Sequence, residues 1–297
     1  MRAVAVVTTL VLCAAPASLQ AWGMDVHRFL TRRAIEGLPP DVRPFFARDL
    51  DFISEHSVDP DLWRVVGLAG DRGAEEPNHF LDIDGLDEPR PFTGVPRTWE
   101  GYLARYGSER ANRMGRLPWR IEELYGRLVE AFRQVGQGDR PYAGDNARYL
   151  VAVLAHYVED AHQPFHAVLN YDGQLTGQRG IHARFETTLV MRNRWRFDLA
   201  PVIVRPISDI TEFAFATLVE SESLVERVLE ADRRAAAGRG GYDDGYYAAL
   251  WDGAADIAAR RLSESASGVA SVVVAAWTDA GRPVLSSGGR APAAPRP

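Results

Sequence analysis

Cysteine is nearly absent from this chain of 297 residues, since Cys13 is the only one and lies close to the N-terminus. A single cysteine excludes an internal disulfide framework. The chain that follows Cys13 has no thiolate to offer to a metal ion, so any metal site there must use histidine, carboxylates or backbone atoms. A cysteine nucleophile is excluded from that part of the chain for the same reason.

Lysine is absent altogether, so all 34 basic residues are arginine. This excludes a lysine nucleophile, and no serine lies in a recognisable nucleophile elbow. The formal net charge is −6, and the sequence contains no long basic tract. We therefore expect no tight binding to duplex nucleic acid.

The N-terminal segment, MRAVAVVTTLVLCAAPASLQA, has one basic residue near its start, then an apolar run, then small residues up to Ala21. This order is typical of a secretory signal peptide, and the segment is too short and wrongly flanked to span a membrane. We expect residues 1–21 to be removed, so that the mature chain begins at Trp22. The mature chain should have no transmembrane segment and should be secreted or periplasmic in a bacterial cell.

Apolar residues recur with helical spacing through most of the remaining chain, and no alternating strand pattern is longer than a few residues. The helices that this spacing predicts span residues 24–38, 117–135, 145–162, 181–195, 207–233 and 243–278. Two stretches rich in proline and glycine, 56–98 and 169–180, are predicted to be loops. The tail 286–297 has no core-forming residues and should be disordered. We therefore predict one all-α domain over residues 22–285, with two long loops of the kind that often carry function.

Three of the seven histidines lie in one stretch, HYVEDAHQPFH. His156 and Asp160 are four residues apart, so on a helix they share one face and could hold one divalent ion. Pro164 should end or kink the helix, which could return His166 to the same cavity. His162 faces elsewhere and is left out. Taken alone, the stretch is better explained as a solvated helix end with surface salt bridges.

A second pair, His182 and Glu186 in GIHARFE, is also four residues apart, at the start of the next predicted helix. An imidazole and a carboxylate at this spacing can face a common point, as in zinc sites. One such pair is a weak indication, but two pairs on consecutive helices joined by a glycine-rich loop favour a metal site. The earlier loop adds His79 and either Asp59 or Asp61, although aspartates there could also cap turns.

The expected new N-terminus offers a further ligand set. The α-amine and carbonyl oxygen of Trp22 could chelate a metal ion as a five-membered ring. An unperturbed α-amine has a pKa of about 8, so a metal ion can readily displace its proton. His27 follows five residues later, on the first predicted helix.

Together these residues resemble the superfamily of zinc-dependent phospholipases C and single-strand-specific zinc nucleases. Its hallmarks are a processed N-terminal tryptophan, an HxxxDxxxxxH motif, a later HxxxE or HxxxD motif, and an earlier aspartate and histidine. The resemblance extends from residue 22 to about residue 190 and implies three zinc ions in the cleft of an all-α fold. The ligands that it implies are Asp61, His79, His156 and Asp160 for the first ion, His166, His182 and Glu186 for the second, and Trp22 and His27 for the third, with Asp160 bridging the first and third ions.

The resemblance also implies phosphodiester hydrolysis by a zinc-activated water, with Asp61 as the catalytic base. Asp61 is preferred to Asp59 because the family's aspartate is often followed three residues later by arginine, here Arg64. The HxxxE motif and the segments NHFLDID and GIHARFE are similar to the bacterial phospholipases C. The spacing from Trp22 to His27 is similar to the nucleases, but their tryptophan–alanine–aspartate triplet reads DPD in this chain.

We expect a phospholipid substrate, with single-stranded nucleic acid and a 3′-nucleotidase activity as the alternative. Four aromatic residues could bound a choline or acyl-glycerol pocket or stack on bases, and therefore do not discriminate between these substrates: Phe80, Tyr157, Phe165 and Tyr171. A different class of protein also fits, namely an exported helical protein whose zinc ions only stabilise the fold. Histidine and carboxylate ligands would also accept manganese or iron.

Overall fold

The computed structural model of the protein describes three ranges of residues, 23–66, 75–138 and 140–285. The predicted signal peptide, Trp22 and the predicted C-terminal tail lie outside these ranges. Those three features therefore stay predictions.

The described part of the chain forms one all-α domain. It contains no β-strand, and its one isolated antiparallel bridge joins Leu81 to Gly115. No helix within it is long and apolar enough to cross a membrane. The predicted fold class is confirmed.

Ten helical segments follow one another along the described residues, and the longest connection between them separates Val66 from Trp99. They are α1 (Met24–Glu36), α2 (Arg43–Ala47), α3 (Leu50–His56), α4 (Asp59–Val66), α5 (Trp99–Met114), α6 (Leu117–Gln137), α7 (Ala143–Ala161), α8 (181–193), α9 (Ile210–Ala236) and α10 (Asp244–Asp279). Helix α8 has a π-helical middle, Arg184–Leu189, between two short α-helical ends. Three 3₁₀ turns lie between the helices: Glu76–His79, Ile83–Gly85 and Pro164–Ala167.

The helices predicted from apolar spacing are all present, with ends that differ by no more than a few residues. Helix α6 shows why the spacing is informative. Its predicted apolar stripe is buried, and it consists of Ile121, Leu124, Leu128 and Phe132. Pro118 lies in its first turn, where no backbone donor is needed, and Gly138 ends it in the left-handed conformation with a φ of 72°.

The loop prediction for 56–98 is wrong at its start, because Asp59–Val66 forms helix α4. Pro60 lies in the first turn of this helix, where its missing N–H costs no hydrogen bond and its fixed φ suits the helix. Proline there marks a helix start rather than a loop. The prediction for 169–180 is confirmed, since that segment consists of turns.

Helix α7 runs through the middle of the domain and is buried on all sides from Val151 to Ala161. It packs against α6, α3, α10 and α1. A helix buried around its whole circumference usually carries only apolar side chains. Helix α7 instead buries His156, Glu159 and Asp160, which is costly unless these polar groups are paired or bind a cation.

Candidate metal centre

The structure brings together eight of the nine predicted metal ligands, and the ninth, Trp22, lies outside the described residues. The eight come from six segments: His27 from α1, Asp61 from α4, His79 and His166 from two 3₁₀ turns, His156 and Asp160 from α7, and His182 and Glu186 from α8. Each of the eight has at most 5% of its surface exposed. Three groups among them bring their ligand atoms within 4.8 Å of one another: His27, Asp61 and His156; His79, His156 and Asp160; and His166, His182 and Glu186.

Asp160 lies in the middle of these groups. Its Oδ2 atom is 2.9 Å from Nδ1 of His79 and 3.3 Å from Nε2 of His156. Its Oδ1 atom faces another side, 3.6 Å from Nε2 of His27. The two carboxylate oxygens therefore face different histidines, which is the arrangement that a bridging ligand requires.

The structure separates the two candidate aspartates of α4. Asp61 is buried, and its Oδ1 lies 4.0 Å from Nδ1 of His79 and 4.0 Å from Nε2 of His156. Asp59 points away and accepts hydrogen bonds from Nδ1 of His56 at 2.8 Å and from the hydroxyl of Tyr149 at 3.1 Å. Asp61 is therefore the aspartate that can reach a metal ion.

The third of these groups consists of His166, His182 and Glu186. Helix α7 ends at Ala161, and Gln163 is extended with a ψ of 120°, so the chain turns before Pro164 as expected. This turn directs His166 toward His182, with their ring centroids 5.1 Å apart. Nε2 of His182 lies 2.9 Å from Oε2 of Glu186, although the π-helical segment widens the turn between them.

Four of the five histidines of the centre are oriented in the same way, through a contact made by Nδ1. Nδ1 of His27 lies 2.6 Å from Oε2 of Glu159. In the other three, Nδ1 lies close to a backbone carbonyl: His156 to Ser57 at 2.8 Å, His166 to His79 at 2.6 Å, and His182 to Tyr171 at 2.9 Å. A carbonyl oxygen can only accept, so Nδ1 carries the proton in the last three and Nε2 keeps its lone pair. His79 is the exception, because its Nδ1 faces Asp160 and its Nε2 lies 3.6 Å from Oε1 of Glu75. A contact between one ring nitrogen and a carboxylate or carbonyl oxygen is typical of histidines that bind metal ions.

Several buried ligand atoms of the described residues have no hydrogen-bond partner. They include Nε2 of His27 and His79, Oδ2 of Asp61, Oδ1 of Asp160 and Oε1 of Glu186. An unsatisfied buried polar atom costs about 1–3 kcal/mol, so a set of them facing one space needs an explanation. Divalent cations would satisfy atoms of this kind, because imidazole nitrogens and carboxylate oxygens are metal ligands. The residues present therefore fit a metal centre.

The pKa values of the histidines in the centre shift in different directions. Burial, together with the nearby His156, lowers the pKa of His27 well below its usual value, and burial and His182 do the same for His166. Burial also disfavours the charged form of His182, but the carboxylate of Glu186 outweighs it and leaves the pKa raised. A cation binds the neutral form of imidazole, which the lowered pKa values of His27 and His166 favour, whereas His182 would release its proton when a cation binds.

The centre opens onto a cavity of about 570 Å³. His79, His166 and His182 form its floor, and Arg64 and Arg113 are the cations on its walls. Most of the remaining lining is apolar: Phe80, Met114, Phe165, Leu169, Tyr171 and Leu175. Of the four aromatic residues considered from the sequence, only Tyr157 is not part of this lining. It is fully buried, and its hydroxyl donates a hydrogen bond to Glu75.

Two polar residues of the centre were not among the predicted ligands. Glu159 contacts His27, and Gln163 donates a hydrogen bond from Nε2 to Oε2 of Glu186 at 2.8 Å. Both are fully buried. Only their positions in the sequence could have indicated them. Glu159 is next to the predicted ligand Asp160, and Gln163 is next to Pro164, the proline after the helix end. His162 lies outside the centre, and its Nδ1 donates to the Val158 carbonyl at 2.7 Å.

Comparison with known proteins found no family model and no curated protein that matches this sequence. The chemistry of the centre is therefore derived from its own geometry. Buried histidines and carboxylates that converge beside an open cavity could hold metal ions and place a substrate next to them.

Proposed function

We propose that the protein is an exported zinc-dependent phosphodiesterase of the phospholipase C and zinc nuclease superfamily, and that it hydrolyses phospholipids. The observation that carries this proposal is the convergence of eight predicted ligands on one buried centre, with Asp160 between the groups. These ligands come from positions spread over more than half the chain, and a shared metal centre explains why they meet.

The proposed assignment uses three zinc ions. Asp61, His79, His156 and Asp160 would hold the first ion, and His166, His182 and Glu186 the second. His27 and Asp160, with Trp22 from outside the described residues, would hold the third. When bound, such ions supply an activated water and neutralise charge on a phosphate group.

Asp61 is the proposed catalytic base. Its Oδ1 accepts a hydrogen bond from Arg64 at 3.2 Å, whereas its Oδ2 is buried without a partner and can receive a proton. Arg64 also lines the cavity, where its guanidinium can bind a phosphate oxygen. Asp61 and Arg64 therefore place a proton acceptor and a phosphate-binding cation side by side.

The cavity lining supports a lipid substrate. The turn segment 169–180 brings three apolar side chains to the mouth of the cavity, and they are more exposed than most apolar residues of the molecule. Their exposed fractions are 37% for Leu169, 38% for Tyr171 and 69% for Leu175. An apolar rim beside Arg64 and Arg113 suits a molecule with a phosphate group and acyl chains, although Glu76 and Asp82 also line the cavity.

A single-stranded nucleic acid is the second candidate, because Phe80, Phe165 and Tyr171 also line the cavity and could stack on bases. A purely structural role for the metal ions fits less well. Structural zinc sites are closed, whereas His166 and His182 line a cavity next to the centre.

The test is hydrolysis by purified protein that begins at Trp22. The substrates are phosphatidylcholine vesicles, single-stranded DNA and RNA, each with added zinc and with a chelator. We expect zinc-dependent release of the phosphorylated head group from the vesicles. His182→Ala is the control for the metal centre and should be inactive. Hydrolysis of nucleic acid alone would favour the second candidate, and metal-dependent folding without any hydrolysis would contradict the proposal.

A further inference from the structure

Glu159 lies next to Asp160 on α7 and is completely buried. Its Oε2 atom is 2.6 Å from Nδ1 of His27, and its Oε1 atom accepts a hydrogen bond from the hydroxyl of Thr31 at 2.7 Å. Both oxygens of this carboxylate are therefore used by side chains of α1. His27 and Thr31 are four residues apart and share one face of α1, so Glu159 ties the first two turns of α1 to α7.

These contacts point the other ring nitrogen of His27 into the metal centre. Nε2 of His27 has no hydrogen-bond partner among the described residues and lies 3.6 Å from Oδ1 of Asp160. A Nδ1–H bond to Glu159 leaves the lone pair on Nε2, where a metal ion can bind it. The contact with Glu159 therefore fixes the direction of the ring, and an ionised Glu159 would also fix the nitrogen that is free.

His27 differs in this respect from three of the other four histidines of the centre. His156, His166 and His182 donate from Nδ1 to backbone carbonyls, which packing holds in place. His27 instead depends on a side chain. It also belongs to the proposed site with the fewest side-chain ligands, since only His27 and Asp160 are assigned to the third ion.

Burial of a carboxylate in the middle of α7 is difficult to explain by packing alone. Val158 and Ala161 beside it are apolar, and an apolar side chain at position 159 would avoid the cost of removing a carboxylate from water. What the carboxylate gains at this position is its contact with His27 and the hydrogen bond from Thr31.

We propose that Glu159 is a positioning residue that holds His27 in the orientation and tautomer for binding the third metal ion. This inference rests on the proposed metal centre and is independent of the substrate. Loss of such a partner weakens metal affinity by about 10- to 100-fold. The effect should be greatest at the third ion, because the Glu159 carboxylate contacts His27 and Thr31, and neither is assigned to the second ion.

The test compares Glu159→Gln with Asp145→Asn, a carboxylate-to-amide control on the half-exposed first turn of the same helix. Zinc affinity is measured by competition with a chromophoric chelator, and zinc content by elemental analysis. We expect the wild-type protein and the control to bind three ions. Glu159→Gln should bind two with unchanged affinity and the third about 10- to 100-fold more weakly.

A spectroscopic measurement separates positioning from a general effect on folding. In zinc-loaded protein labelled with ¹⁵N-histidine, the Nδ1 proton of His27 should be visible and slow to exchange, and in Glu159→Gln it should exchange faster. Unchanged third-site affinity in Glu159→Gln would overturn the inference. So would equal loss of all three ions with a lower melting temperature, which would assign Glu159 to the fold. A wild-type protein that binds no zinc would overturn the proposed function as well.

Discussion

Oδ2 of Asp160 lies 2.9 Å from Nδ1 of His79, although the two residues are 81 positions apart in the chain. The contact joins the central helix α7 to a 3₁₀ turn that follows α4. Because the other oxygen of Asp160 faces His27, this one carboxylate links two parts of the candidate metal centre. Replacement of Asp160 is therefore the most direct test of whether one carboxylate joins two metal sites.

Asp160→Asn should bind two zinc ions fewer than the wild-type protein. The amide has no charge, and its nitrogen cannot serve as a ligand for one of the two ions that Asp160 is proposed to bridge. Hydrolysis should fall by about 1,000-fold or more, because metal ions supply several kcal/mol of transition-state stabilisation. The measurement is elemental analysis combined with an activity assay. A variant that retains every bound ion would disprove the bridging role.

The two aspartates of α4 form a matched pair for testing the catalytic base. Asp61→Asn should lower kcat by about 100- to 10,000-fold, because the amide cannot accept a proton in place of Oδ2. Asp59→Asn keeps a hydrogen-bond acceptor for His56 and Tyr149 and should stay close to wild-type activity. Steady-state kinetics at saturating zinc decides between them. Equal losses in both variants would show that α4 matters only as a structural element.

Gln163 supports the ligands of the proposed second zinc ion through its contact with Glu186. Its Nε2 donates to Oε2 of Glu186, and its Oε1 accepts from the backbone N–H of Phe165 at 2.5 Å. Gln163→Leu should weaken the zinc ion held by Glu186 by about 10- to 100-fold. It should also lower the free energy of unfolding by about 1–3 kcal/mol, because the buried N–H loses its partner.

Gln134→Leu is the control for this variant, because Gln134 makes the same kind of bond to Glu130 on the exposed side of α6. Zinc competition and denaturant unfolding are measured for both variants. Unchanged zinc affinity in Gln163→Leu would show that the contact with Glu186 has no effect on the metal ion.

Asp82 predicts a pH dependence of stability. Burial, with Asp84 nearby, raises the pKa of Asp82 from its usual value to about 8. Between about pH 4 and pH 8 the folded protein therefore holds a proton that the unfolded chain has released. The contribution is fully favourable below this window and is lost as the pH rises through it.

Asp82→Asn removes this dependence. The unfolding free energy of the variant relative to wild type should rise by up to about 1.4 kcal/mol for each pH unit within the window. Urea unfolding of both proteins in zinc-saturated buffer between about pH 5 and pH 8 measures the difference. A difference that does not vary with pH would contradict a raised pKa.

Leu175 tests the choice of a lipid substrate. Leu175→Asp places a charge on the exposed rim of the cavity and should weaken vesicle binding by about tenfold, because burial of a leucine side chain is worth about 1.5–3 kcal/mol. The rate on a water-soluble phosphodiester should stay unchanged. Ile203→Asp, at an exposed position outside this cavity, is the control. Equal effects on vesicles and on the soluble substrate would contradict a lipid-binding rim.

Local periodicity was enough to determine the all-α class and the two ligand pairs within helices. His156 and Asp160, like His182 and Glu186, are four positions apart, and helical geometry places such residues on one face wherever the helix lies. Pro164 likewise predicted the turn after α7, because a proline disfavours helical backbone at the residue before it. These features depend on neighbours in sequence, so the sequence by itself determined them.

Only the tertiary structure decided which distant segments meet at the centre. Glu159 and His27 are 132 positions apart, and no spacing rule relates them. The choice of Asp61 over Asp59 likewise depended on α4, whose direction is set by its packing against α7. Contacts within one helix follow from the 3.6-residue repeat, whereas contacts between helices follow from how buried surfaces fit together, which requires the whole fold.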